Sequence, residues 1–227
     1  MTITYVNGDV GSSDSEATTI AAAAINASAG NAIVVCISNY SSTPRTVSSI
    51  ADTAGNSYAR MGDVYNSGSF TVELWIAQNI TGHATNVVTV TYSGAAGYRR
   101  AMVLQLSGVA LSNAHDATFA PAGNIDSTSV YTTTAANTAV DGEMIIGVYL
   151  DESGGLTYSS SSPSVHRLSV SDGSAATNLI ATAGSGSVSV TGNGNSAHWC
   201  YSKAIKPAAA ASSILPVLMR QYRARRD

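Results

Sequence analysis

Short runs rich in valine, isoleucine, threonine and tyrosine recur about every ten residues in this chain, and clusters of glycine, asparagine, aspartate and serine separate them. Each run has the length of one strand and each cluster can form a turn, which is typical of an antiparallel β-sandwich or barrel. We therefore predict an all-β fold. The predicted strands lie near residues 2–6, 16–24, 32–40, 45–51, 57–65, 69–78, 86–93, 99–107, 128–134, 143–150, 164–170, 177–183, 186–191 and 196–205.

Two of these runs, "AIVVCIS" at 32–38 and "EMIIGVYL" at 143–150, are apolar at consecutive positions. We predict central strands covered on both faces there, because a strand with one wet face alternates. A buried helix segment is the alternative. The alanine-rich stretch at 20–29 fits an edge strand and a short helical turn equally well, since alanine is the best helix former.

The turn-like stretch "IADTAGNSY" at 50–58 has two interpretations, a metal-binding loop or a chain reversal. A calcium loop needs several oxygen ligands at alternate positions, and this stretch has the single carboxylate of Asp52. A reversal needs an acceptor side chain and a residue that tolerates positive φ, and Asp52 with Gly55 or Asn56 supplies both. We predict a hairpin turn, and no metal site.

The segments "VSSIADTAGNSYARMG", "VELWIAQNITG", "NVVTVTYSG" and "AMVLQLSGV" follow one another over residues ~45–109. This succession resembles a β-sandwich unit of phage-encoded virion proteins and some bacterial surface proteins. The resemblance implies a two-sheet antiparallel β-sandwich of jelly-roll type with a binding or coat-building role. It supplies no catalytic residues to carry over.

Charged residues make up 11% of the 227-residue chain, whose formal net charge is −3. Residues 1–207, the expected sandwich domain, contain seven basic and thirteen acidic residues, whereas residues 208–227 contain four arginines and one aspartate. Because nucleic-acid binding needs clustered basic side chains, the acidic body argues against it and leaves the basic tail as the exception.

The tail begins with a Pro-Ala linker and continues as an apolar and then a basic stretch, which we interpret as a docking arm; a frayed end is the alternative. The arm would contact acidic surfaces of other copies of this chain or of other virion proteins. Its expected docking residues are Ile214, Leu215, Val217, Leu218, Met219, Arg220, Arg223, Arg225 and Arg226.

Exposed aromatic side chains on a β-sandwich can stack on sugar rings, so the chain has a second candidate site type. The candidate stacking residues are Trp75, Trp199, Tyr98 and Tyr158. Within "FTVELWIAQN", Trp75 lies on the strand face opposite to Phe70 and Leu74, so we interpret it as a half-buried anchor, with a sugar-stacking platform as the alternative for that residue.

No catalytic signature stands out. The four histidines have no zinc-binding spacing, and no nucleophile elbow or phosphate-binding glycine loop is present, so we expect neither an enzyme nor a cofactor. His115 and Asp116 are the strongest candidate for an acid–base pair, because an adjacent carboxylate can raise an imidazole's pKa. They lie in an aperiodic stretch at 109–127, which we interpret as a crossover between sheets.

Cys36 and Cys200 each lie in an apolar run, and they could be buried thiols or a disulfide. We expect no signal peptide and no membrane partner, because the N-terminus lacks a basic and apolar leader and no run of ~18 apolar residues occurs. The expected function is a non-catalytic virion structural protein of a phage capsid or tail. The alternative is a carbohydrate- or receptor-binding module.

Overall fold

A computed structural model describes residues 1–121, 123–126, 128–152, 154–170 and 172–209, and of residues 124–126 it describes the backbone alone. Throughout these ranges the regular structure consists of β-strands, which confirms the all-β class. No helix in the described part of the chain is long and apolar enough to cross a membrane. The arm residues 214–226 lie outside the described residues.

Ten strands occupy the first half of the chain and end before residue 108. They are β1 (Thr4–Ser13), β2 (Ala17–Ala21), β3 (Ile25–Ala27), β4 (Ala32–Tyr40), β5 (Val47–Asp52), β6 (Ala59–Arg60), β7 (Tyr65–Ser67), β8 (Phe70–Ala77), β9 (His83–Asn86) and β10 (Val88–Ser107). We call this half repeat I.

Ten further strands occupy the second half, among the described residues. They are β11 (Asn124–Asp126), β12 (Val130–Thr132), β13 (Ala136–Asn137), β14 (Glu143–Asp151), β15 (Tyr158–Ser160), β16 (Val165–Val170), β17 (Gly173–Ile180), β18 (Ser185–Gly186), β19 (Ser189–Gly192) and β20 (His198–Ile205). We call this half repeat II.

The two repeats have the same topology. The larger sheet runs β1-β10-β4-β8-β6 in repeat I and β11-β20-β14-β17-β16 in repeat II. A smaller sheet is formed by β2, β10 and β5 in repeat I, and by β12, β19 and β15 in repeat II. The short pairs β3-β9 and β13-β18 also correspond. The chain is therefore a tandem of two equivalently connected β-units, which the sequence analysis did not predict.

The sheets stack in four layers, and three apolar clusters fill the spaces between them. The largest cluster lies between the two larger sheets and joins Leu104 and Leu74 of repeat I to Ile146 and Val148 of repeat II. The other two clusters each lie between the larger and the smaller sheet of one repeat. The structure thus has more layers than the single two-sheet sandwich expected from the sequence.

The two uniformly apolar runs form β4 and β14, the central strands of the two larger sheets, and almost every residue in them is buried. This confirms the prediction of central strands covered on both faces, because each larger sheet packs against a second sheet on either side. The alanine-rich stretch is extended, with β2 and β3 in it, so the helical alternative is wrong.

The predicted hairpin after Asp52 is wrong in its connectivity. A tight turn is present, with Gly55 at φ 74° and its amide donating to the Asp52 carbonyl at 3.1 Å. However, β5 before the turn pairs with β10 in the smaller sheet, and β6 after it pairs with β8 in the larger sheet. The turn therefore carries the chain from one layer to the next.

Strand β10 also passes between layers, since its first part pairs with β2 and β5 and its second part with β1 and β4. The register shifts around residues 91–100 mark the bend. Tyr98 in this bend has a φ of 43°, a left-handed conformation that is uncommon for a bulky residue. This bend places Tyr98 at the end of the seam between the repeats.

Candidate binding cleft

A cleft of about 510 Å³ opens at one end of the seam between the two larger sheets. Each repeat contributes five residues to it. Repeat I supplies Asp14, Tyr40, Phe70, Tyr98 and Arg100, and repeat II supplies Leu150, Asp151, Glu152, Gly154 and Asp172. This volume lies in the range of small-molecule sites, about 300–1,000 Å³.

The wall from repeat I is aromatic. Tyr40 ends β4, and its ring lies 4.9 Å from that of Phe70, which begins the neighbouring strand β8. The ring of Tyr98 meets Tyr40 edge-on, with the centroids 5.7 Å apart. Tyr98 is 47% exposed and Tyr40 39% exposed, so two large rings stay open to solvent side by side. Behind them, Trp199 stacks on Phe70 at 3.7 Å and holds it in place.

The wall from repeat II is formed by the end of β14, the residues after it and Asp172 just before β17. Tyr40 and Asp151 are the last residues of the matched strands β4 and β14, each nine residues long. Tyr40 pairs with Phe70, and the Asp151 amide donates to the carbonyl of Asp172 at 2.6 Å. Leu150 packs in the cluster between the larger sheets, so alternation along β14 turns the side chain of Asp151 toward the smaller sheet of repeat II. The acids on the cleft side are therefore Asp172, which Arg100 binds, and Glu152 at the exposed rim.

Arg100 forms the floor of the cleft and links the repeats. Its Nε and Nη2 donate to the two carboxylate oxygens of Asp172, and Nη2 also donates to Asp14 at 2.6 Å. Nη1 donates to the Ser13 carbonyl at 3.0 Å. Burial alone would lower the pKa of Arg100, but the bonds to Asp172 and Asp14 outweigh it and raise that pKa. The side chain of Arg100 is 2% exposed, and its guanidinium remains charged.

The structure places the four predicted stacking residues apart. Tyr98 lines the cleft, and Trp199 is buried behind it. Trp75 is half-buried against the cluster between the layers of repeat I, where its Nε1 donates to Glu73 at 3.0 Å. Tyr158 packs against the cluster of repeat II, with its hydroxyl 3.4 Å from Nε2 of His198.

Sequence reasoning missed Tyr40 and Phe70. Both lie at strand ends in apolar runs and look like ordinary core residues in the sequence. Only the strand register, which pairs them directly, brings the two rings together.

The His115–Asp116 pair lies away from the cleft and is built differently from the expectation. Asp116 is buried, and Oδ1 accepts from the Thr118 amide at 3.0 Å and from its hydroxyl at 2.7 Å. Burial, followed by the nearby Lys203 ammonium, lowers the pKa of His115, and these effects outweigh the adjacent Asp116 carboxylate, which raises that pKa as expected. Asp116 also accepts from the Ala139 amide at 3.1 Å through Oδ2, so its carboxylate fixes the backbone of the segment that joins the repeats.

Asp52 is fully engaged by protein donors. Oδ1 accepts from the Asn56 amide at 2.8 Å, and Oδ2 accepts from the Asn56 side chain, the Tyr58 hydroxyl and the Asn86 side chain at 2.8–2.9 Å. Among the described residues no cluster of three or more His, Cys, Asp or Glu side chains could hold a metal ion. Cys36 and Cys200 are both buried, and no disulfide joins them.

Comparison with protein-family models, with curated proteins and with solved structures returned no match for this chain.

Proposed function

We propose that the chain is a non-catalytic glycan-binding protein, and that the cleft at the seam of the repeats is its binding site. The observation that carries the proposal is the pair of exposed rings, Tyr98 and Tyr40, in a cleft that also holds carboxylates. Sugar rings present apolar C–H faces and a rim of hydroxyls, so a site for them combines flat aromatic faces with hydrogen-bond acceptors.

The backbone of Tyr98 supports the same proposal. Holding a non-glycine residue at positive φ costs about 1–3 kcal/mol, and such strain is concentrated at functional sites. Tyr98 adopts φ 43° while its ring is half in solvent, so burial of the ring does not repay that cost. The strained conformation exposes the Tyr98 ring in the cleft, where it can contact a ligand.

The test is binding to an array of neutral and amino oligosaccharides, followed by calorimetric titration of the best ligand. We expect Tyr98→Ala to weaken binding about tenfold, the factor that ~1.4 kcal/mol corresponds to. Leu111→Ala is the matched control, because Leu111 is an exposed apolar residue outside the cleft. Failure of the protein to bind any glycan on the array, or equal binding by Tyr98→Ala, would overturn the proposal.

We propose as a second function that the chain is a virion structural protein, which assembles with copies of itself or with other virion proteins of a phage capsid or tail. The charge asymmetry of the sequence supports it, since residues 208–227 contain four arginines and one aspartate whereas residues 1–207 carry an excess of acidic residues. This proposal includes two features expected from the sequence, a β-sandwich of jelly-roll type and a C-terminal arm that docks on a partner. Deleting residues 212–227 tests it, because undiminished incorporation into particles would refute a role for the arm.

A further inference from the structure

We propose that Trp199 is a positioning residue for the cleft, and that it raises the affinity of the site from repeat II without contacting the bound molecule. This inference rests on the proposed glycan-binding function and assigns part of the affinity to a buried residue behind the aromatic wall. It follows from a series of ring contacts that begins at Trp199, crosses the seam and ends at the exposed ring of Tyr98.

The ring contacts connect the two repeats. Trp199 in β20 stacks on Phe70 of repeat I, with the ring centroids 3.7 Å apart and an interplanar angle of 24°. Phe70 contacts Tyr40 at 4.9 Å, and Tyr40 contacts Tyr98 at 5.7 Å. Trp199 is 7% exposed and Tyr98 is 47% exposed, so the series has one buried end and one end open to solvent. The buried end can therefore hold the exposed end in place.

The indole nitrogen of Trp199 does not explain why a tryptophan occupies this position. Within the part of the chain that the structure describes, this Nε1 is buried and has no hydrogen-bond partner. Trp75 differs, since its Nε1 donates to Glu73 at 3.0 Å. Burying a donor without a partner costs free energy. The favourable contribution of the Trp199 indole therefore comes from its aromatic face, on which Phe70 stacks.

Loss of the Trp199 ring would loosen the aromatic wall. Phe70 is only partly buried, and it packs against the apolar cluster to which Trp199 belongs. Without the indole, a space would open behind Phe70, and the Phe70 ring could adopt further conformations. Tyr40 and Tyr98 would then lose a fixed neighbour. Rings that are already ordered lose less entropy when a molecule binds, so a looser wall lowers the affinity.

The experiment uses calorimetric titration with the oligosaccharide that gives the strongest signal on the array. We expect Trp199→Leu to bind it about fivefold more weakly, because the substitution removes the aromatic contact on Phe70. Trp199→Phe keeps an aromatic face at this position and should restore most of the affinity. Circular dichroism at the titration temperature would establish that each variant is folded.

Tyr201→Leu is the matched control. Tyr201 lies two positions after Trp199 in β20, on the same face of the strand, and it is also buried. Its ring stacks across the seam on Tyr65 at 5.9 Å with an interplanar angle of 15°. Neither of these rings lines the cleft. We expect Tyr201→Leu to lower the denaturation midpoint and to leave the affinity for the oligosaccharide unchanged.

A double-mutant cycle tests the route through the rings. If Trp199 acts on the bound molecule through Phe70, Tyr40 and Tyr98, its effect should disappear when the last ring is absent. We therefore expect Trp199→Leu to change the affinity less than about twofold in a Tyr98→Ala background. A general loss of stability would not produce this dependence on Tyr98.

The outcomes separate the two proposals. Unchanged affinity of Trp199→Leu, an equal loss in Tyr201→Leu, or full additivity with Tyr98→Ala would each overturn this inference and leave the proposed glycan-binding function intact. Absence of binding of the unaltered protein to every glycan on the array would overturn both proposals.

Discussion

The carboxylate of Asp52 accepts hydrogen bonds from one backbone amide and three side chains, and it holds together the turn that carries the chain between layers. Burial alone would raise the pKa of Asp52, but the bonds from Asn86, Asn56 and Tyr58 outweigh it and lower that pKa. These donors all favour the charged form, so the turn depends on ionisation of this residue.

We expect Asp52→Ala to lower the free energy of unfolding by about 2–3 kcal/mol at pH 7, because several donors lose a charged acceptor. Since the pKa of Asp52 is lower in the folded state, its contribution is present above the unfolded pKa of about 3.9 and is lost as the pH falls through the folded value. Urea denaturation at pH 7 and pH 3 would measure it.

Asp63→Asn, at an exposed acid, is the control for this measurement. An Asp52→Ala loss as large at pH 3 as at pH 7 would contradict a role for the ionised form.

At the scale of residues, the sequence predicted the turn chemistry because Asp52, Gly55 and Asn56 act locally. It did not predict the cleft, because Tyr40, Phe70 and Asp172 meet only through pairing across strands and packing across the seam. Tyr98 was a candidate, and its neighbours could not be identified from spacing along the chain.

Among the elements, β10 is the most connected, since its residues pair with β1, β2, β4 and β5. It also supplies Arg100, whose side chain reaches Asp172, just before β17 in the other repeat. The seam between the repeats therefore contains a buried ion pair as well as apolar contacts.

We expect Arg100→Met to destabilise the protein by about 3–5 kcal/mol, because the buried carboxylate of Asp172 would lose its partner. The matched comparison is Arg60→Met. Arg60 lies 3.8 Å from Glu73 and its side chain is 41% exposed, so its loss should cost at most about 1 kcal/mol. Chemical denaturation of both variants would measure the difference, and equal losses would contradict a special role for Arg100.

At the scale of elements, the sequence predicted the central strands well. A long apolar run bounded by turn residues is compatible with few structures other than a strand covered on both faces. It failed on connectivity after Asp52, where a turn between two strands was interpreted as a hairpin. A local turn signal reports that the chain reverses, and it does not report which sheet receives the next strand.

The whole molecule is two repeats of one topology joined by their larger sheets. The sequence did not predict this duplication, because the matched strands share their pairing order but few identical residues. For instance, β8 is "FTVELWIA" and β17 is "GSAATNLI". Packing constrains the pattern of burial in a repeat more tightly than the residue types that fill it.

We expect the two repeats to unfold together, because the largest apolar cluster is shared between them. Each repeat contains one of the two tryptophans, Trp75 in repeat I and Trp199 in repeat II. The variants Trp75→Phe and Trp199→Phe each leave one fluorescent probe, and circular dichroism on each variant reports the whole chain. The two signals should give the same denaturation midpoint within each variant, and separated midpoints would contradict a shared core.

The position of the cleft across the seam has a thermodynamic consequence. A molecule that contacts both repeats at once stabilises their association. Each gain in its binding free energy therefore raises the free energy needed to separate the repeats by the same amount. By the same reciprocity, a change that weakens the ion pair between Arg100 and Asp172 beneath the cleft lowers the affinity for that molecule, even if all of its surface contacts are kept.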